Sequence, residues 1–171
     1  MKIKFLFHLF IGISFLFSSS LNVLTYNIHA LTPVIAGDDP HSRVPEILSK
    51  SLGFEILFLQ ENWIFNESEL QPYLPGYNII LSKNSKFLWP LKQLINPNGA
   101  GLSIAISDTI KVIDVVEKSF VRCSGWLSKD NDCLSSKGFQ HIIVEVSGER
   151  LDLYNTHLDA GSSESDVSTR N

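Results

Sequence analysis

No run of apolar side chains in these 171 residues reaches the ~20 that a membrane-spanning helix requires. The longest, Phe5 to Phe17, is interrupted by His8 and Ser14. Basic side chains are also short: 14 Lys and Arg against 18 Asp and Glu leave a formal charge of −4 at pH 7. That argues against tight nucleic-acid binding, which is driven by neutralising phosphates. Cysteine occurs only at Cys123 and Cys133, and no further Cys or His stands at zinc-site spacing. There is no internal repeat and no low-complexity linker, so solenoids and stalks are excluded and one domain's worth of chain remains.

What is present at the N-terminus has the order of a secretory signal peptide: Lys2 and Lys4, then the apolar run, then Ser18, Ser19 and Ser20. Residues 1–20 are expected to be that peptide, cleaved after Ser20, with residues 21–171 secreted or periplasmic. Only the length of the run separates this from an uncleaved anchor. Cleavage removes two lysines and no acids, leaving 12 basic against 18 acidic side chains and a formal −6. In an oxidising compartment Cys123 and Cys133 would close a surface loop as a disulfide, contributing ~2–3 kcal/mol. Two free thiols or a soft-metal pair are the alternatives.

Along the chain, Leu21 to Asn27 reads as a buried strand. Val44, Ile47, Leu48 and Leu52 fall at helical spacing, with Ser42 as N-cap, Pro45 in the first turn and Gly53 as the stop. Glu55 to Gln60 is a second apolar strand, and strand, helix, strand favours two parallel neighbours. The later segments 77–81, 101–107, 111–118, 138–146 and 151–156 read as strands joined by hairpin turns. The expectation is an α+β fold with a mixed, mainly antiparallel sheet and few helices. Asn66-Glu67-Ser68 is a glycosylation sequon, relevant only in a eukaryotic secretory pathway.

Four stretches carry residues suited to chemistry. Asn27 ends an apolar strand, where a turn amide is the plainer reading. Glu61 follows Leu57-Phe58-Leu59-Gln60, and a carboxylate at the C-terminal end of a parallel strand lies where ligands gather; one hard oxygen suits Mg2+, which keeps several waters. A solvated carboxylate is the plainer reading there. Lys137-Gly138 begins a strand after a polar loop. Asn155-Thr156-His157 ends a strand in an imidazole, the group suited to proton transfer or to donation toward a phosphoryl oxygen near neutral pH, although a hydrogen-bonded structural histidine has the same pattern.

Together, Thr25-Tyr26-Asn27, Leu59-Gln60-Glu61, Gly99-Ala100-Gly101-Leu102-Ser103-Ile104, Lys137-Gly138 and Asn155-Thr156-His157-Leu158 resemble the endonuclease/exonuclease/phosphatase superfamily. The cysteine-bearing loop before Lys137-Gly138 and Thr-His-Leu-Asp-Ala after it look most like secreted, sphingomyelinase-like members. The resemblance implies a four-layer α/β/β/α sandwich and Mg2+-dependent phosphodiester hydrolysis. It implies Glu61 as metal ligand, Asn27 orienting the metal or phosphate, and His157 stabilising charge on the phosphoryl oxygens. Lys137 and Asn155 would bind substrate. The substrate would be a phospholipid headgroup or a nucleic acid, with a transient membrane contact and no obligate protein partner. Acidic charge and the Lys-Gly loop favour lipid, yet no membrane-inserting hairpin is legible, and Trp63, Trp89 and Trp126 suit packing as well as a membrane.

The family continues after Thr-His-Leu with a helix, a Gly-Asp-x-Asn motif and a Ser-Asp-His motif, and neither motif occurs here. The chain is therefore expected to represent the first half of the fold, truncated, with little turnover. One sheet face would lack its partner sheet, with poor solubility as the result. The rival expectation is a non-catalytic secreted binding protein derived from the same fold.

Overall fold

Alternation on one strand sets the layers. In the computed structural model, which describes residues 20–83, 98–123 and 137–170, β2 (Ile56–Asn62) is buried along nearly its whole length. Leu57 and Leu59 point to one side, Ile56 and Phe58 to the other, so this strand needs cover on both faces. Helices supply one side and a second sheet the other.

The first sheet has the order β1-β2-β4-β3, with β1 (Val23–Ala30) parallel to β2 and β4 (Ser103–Ser107) antiparallel to both β2 and β3 (Tyr77–Leu81). The second is an antiparallel meander, β5 (Lys111–Ser119), β6 (Gly138–Val146) and β7 (Glu149–His157). Short α1 (Pro33–Ala36) and longer α2 (Pro40–Lys50) form the β1 to β2 crossover, and α3 (Glu67–Leu70) follows β2. Val44 and Leu48 of α2, with Leu70 of α3, cover Leu57, Leu59 and Ala105. Between the sheets Ile56, Phe58, Ile104 and Ile106 meet Ile142 and Val144. α4 (Glu164–Arg170) ends the described chain, and Arg170 Nη1 donates to the carbonyls of Asp159 and Gly161 at 2.9 Å each. Among the described residues no helix is long and apolar enough to cross a membrane.

Several expectations are corrected. The strands after β3 do not form one sheet: the turn at Ser107–Ile110 passes the chain from the first sheet to the second. Both sheets are thus present and cover each other, so neither inner face lacks its partner. The outer face of the second sheet instead leaves Val116 and Tyr154 exposed, with His141 stacked on Tyr154 at 4.4 Å. Helix α2 begins earlier than Ser42. Asp39 is its cap, accepting from the His41 N–H at 3.1 Å, and Pro40 takes the first helical position. Ser42 donates its hydroxyl to Asp39, and Pro45 lies inside the helix. Asn66 of the sequon caps α3 in a capping box with Glu69. Residues 1–19, Cys133, Trp89 and Trp126 lie outside the described residues, and with them the signal peptide and the disulfide pairing.

Trp63 is buried in packing, and its ring explains the glycine at 101. Gly101 has φ 65°, and a Cβ there would stand 2.7 Å from the indole. Gly101→Ala is therefore expected to lower stability by about 1–3 kcal/mol through overpacking and left-handed strain. A urea midpoint equal to that of the parent would contradict this packing.

Candidate active site

Because β1 and β2 are parallel, their C-terminal ends lie side by side, and the end of β7 meets them from the facing sheet. Ile28 and Ala30 take the helix side of β1, leaving Asn27 toward the second sheet. Glu61 breaks the pattern. Alternation would send it after Leu57 and Leu59 toward the helices, but its backbone is left-handed, φ 57°, and the carboxylate stands instead between Asn27 and His157.

Asn27 holds this arrangement with both ends of its amide. Its Oδ1 accepts from the His29 backbone N–H at 2.9 Å, and its Nδ2 donates to Glu61 Oε1 at 2.9 Å. His29 is itself left-handed, φ 47°. Each non-glycine residue in that region costs roughly 1–2 kcal/mol, and such strain persists where surrounding contacts over-determine it, as they do here. The Glu61 carboxylate lies between two imidazoles: His157 Nε2 is 3.7 Å from Oε1 and His29 Nε2 is 4.0 Å from Oε2.

Lys137 enters from the start of β6, its Nζ 3.2 Å from His157 Nδ1. The glycine after it is sterically required, because a Cβ at Gly138 would overlap the Lys118 carbonyl oxygen of the neighbouring strand. Gly138 also pairs with His157 across the ladder, which brings Lys137 beside the imidazole.

Asn155 is placed differently from the other four. Only 1% exposed, it lies beneath the site as a strut between the sheets. Its Oδ1 accepts from Gln60 Nε2 at 2.7 Å, and its Nδ2 donates to the Ser103 carbonyl at 3.1 Å and to Gln140 Oε1 at 3.2 Å. The sequence singles out neither His29 nor Gln140. Gln140 sits opposite Asn155 in register, a signal available only once strand pairing is known.

Burial, followed by the nearby Lys137 charge, holds the His157 imidazole below its usual range, with Glu61 and Asp159 opposing. Neutral His157 thus contributes stability that is complete above about pH 6.5 and is lost as pH falls through its lower folded value. Urea midpoints compared at about pH 7.5 and about pH 5.5 are expected to drop on acidification, and to drop less in His157→Gln. An identical drop in both proteins would remove His157 as the cause.

Glu61 suits a small hard cation. Its Oε1 is held by Asn27, and Mg2+ needs only one or two protein carboxylates beside waters and substrate oxygens. Among the described residues no three His, Cys, Asp or Glu side chains close around one ion, so the fit is to a sparsely ligated metal and not to a full protein cage.

No family model matches the chain, and neither does any curated protein. Solved structures do. Sphingomyelinase C from Streptomyces griseocarneus superposes with a TM-score of 0.64 at 18% identity, over 90% of this chain and 55% of its own. A hairpin-deletion mutant of beta toxin from Staphylococcus aureus gives 0.60 at 16%, over 90% and 57%. Truncated TDP2 from Caenorhabditis elegans gives 0.56 at 19%, over 82% and 47%. The chain thus spans about half the length of the structures it matches. Over that length it carries the endonuclease/exonuclease/phosphatase fold.

Proposed function

We propose that the cluster of Asn27, Glu61, Lys137 and His157 serves Mg2+-dependent hydrolysis of a phosphodiester. The observation that carries this reading is the convergence of three strand ends on one carboxylate, whose position is set by an amide and a left-handed backbone. Mg2+ held at Glu61 would polarise a phosphoryl oxygen and offset the charge of the reacting group. Asn27 keeps Glu61 turned toward that position. His157 presents Nε2 to the same space as a donor for phosphoryl oxygens, and Lys137 beside it adds positive charge. His29, about half exposed, stands on the other side of the carboxylate.

A phospholipid such as sphingomyelin is the substrate we favour over a nucleic acid. The fold shared with a sphingomyelinase supports it, as does an acidic chain that would repel a polyanion. The substrate would be met transiently at a membrane surface, by a protein exported through residues 1–20 and closed by a Cys123–Cys133 disulfide. These 171 residues contain neither Gly-Asp-x-Asn nor Ser-Asp-His, so an acidic group to activate water is not supplied as in the family, and slow turnover by this chain is expected.

The test pairs binding with chemistry on the 171-residue chain: Mg2+ titration by calorimetry, phosphocholine release from sphingomyelin vesicles, and nicking of plasmid. Mg2+ binding with Mg2+-dependent phosphocholine release supports the lipid reading, and nicking in its place supports nucleic acid. Absence of Mg2+ binding and of both activities overturns the proposal and favours a non-catalytic binding protein.

A further inference from the structure

The two ring nitrogens of His157 have different neighbours, and the neighbour of one dictates the state of the other. Lys137 Nζ lies 3.2 Å from Nδ1. An ammonium carries three donors and no acceptor, so a hydrogen bond at this distance requires a lone pair on Nδ1. A neutral imidazole with Nδ1 bare keeps its single proton on Nε2. Nε2 is the nitrogen that faces Glu61 Oε1, at 3.7 Å. The usual orienting partner of a catalytic histidine is an acceptor, a carboxylate or a carbonyl, which takes the Nδ1 proton and leaves Nε2 free to act as a base. Here the polarity is reversed. The reversal is built into the backbone, because Lys137 is 7% exposed and directly precedes the glycine that pairs with His157.

We infer that Lys137 is a positioning residue whose ammonium fixes His157 as the Nε2–H tautomer, so that the ring offers the site a standing hydrogen-bond donor and not a base. That the donor is aimed at a phosphoryl group rests on the phosphodiesterase reading; the tautomer itself does not.

The test is the long-range proton–nitrogen correlation spectrum of the 15N-labelled full chain near neutral pH, with His157 assigned by its loss in His157→Gln. The expected pattern is a protonated Nε2 and an unprotonated Nδ1. Lys137→Arg, which keeps a donor, should retain that pattern, whereas Lys137→Met should shift both nitrogens toward the exchange average of the two tautomers. An Nδ1–H form in the parent protein overturns the inference, as does an unchanged pattern in Lys137→Met. Should Lys137→Met fail to fold, the parent spectrum and Lys137→Arg still decide. Inorganic phosphate added with Mg2+ is the separate arm for the phosphoryl role: a shift confined to Nε2 supports it, and no shift at His157 overturns that role while leaving the tautomer result standing.

Discussion

Asn155→Leu is expected to melt about 4–16 °C below the parent protein, the effect of roughly 2–4 kcal/mol in a domain of this size. Leucine matches asparagine in side-chain heavy atoms and branching and is bulkier, so no cavity opens. What it removes is the centre of a buried amide cluster: Gln60 Nε2 loses its 2.7 Å acceptor, and Gln140 Oε1 and the Ser103 carbonyl lose their donor. An orphaned buried polar group costs about 1–3 kcal/mol. Gln60 Nε2 keeps a contact to Thr25 Oγ1 at 3.1 Å, so its share of that cost is relieved, whereas the 3.0 Å bond from Gln140 to Glu117 is donated by Nε2 and does nothing for Oε1. The consequence reaches the site, because Gln60 precedes Glu61 and Asn155 lies two residues before His157. Loosening this strut frees one sheet to slide against the other and widens the separation of Glu61 from His157. A melt within a degree or two of the parent would show that the amide cluster does not hold the sheets together.

How far these features were legible depends on whether they are written locally. Segments 77–81 and 138–146 coincide with β3 and β6, since each is an apolar run bounded by turn chemistry. The parallel pairing of β1 and β2 follows from a helix between two strands. The switch of sheets at Ser107–Ile110 is not written locally, because a tight turn serves a hairpin and a sheet change equally well. At α2 the expected cap was Ser42, and the structure uses Asp39 instead, which with Pro40 after it combines an accepting carboxylate with a pre-set φ. Asn27, Glu61, Lys137 and His157 were legible as strand-end polar residues, and the structure draws them together. Their geometry was not legible, because left-handed backbone is signalled by glycine or asparagine, and His29 and Glu61 are neither. Asn155 was visible as a residue but not as a strut, since its partners Gln60 and Gln140 lie on other strands and meet it only through pairing and sheet packing.

The left-handed backbone at Glu61 leads to a prediction in which stability and function move in opposite directions. Glycine is ordinarily less stable than alanine within a strand, by roughly 0.5–1 kcal/mol. At φ 57° the order reverses, because a Cβ costs roughly 1–2 kcal/mol there and glycine escapes it. Glu61→Gly is therefore expected to be more stable than Glu61→Ala by about 1 kcal/mol, or about 2–4 °C in melting temperature. Both variants lose the carboxylate, and both should weaken any Mg2+-dependent hydrolysis by at least about 100-fold, since a metal's charge stabilisation is worth several kcal/mol. Calorimetric Mg2+ binding should disappear in both while the far-UV circular dichroism stays that of the parent. An alanine variant as stable as the glycine variant would show that the strain is not present in solution. Full Mg2+ binding in either variant would remove Glu61 from the metal site. A metal-blind Glu61→Gly more stable than Glu61→Ala would show that a strained backbone is kept at the position whose carboxylate it turns toward the space shared with Asn27 and His157.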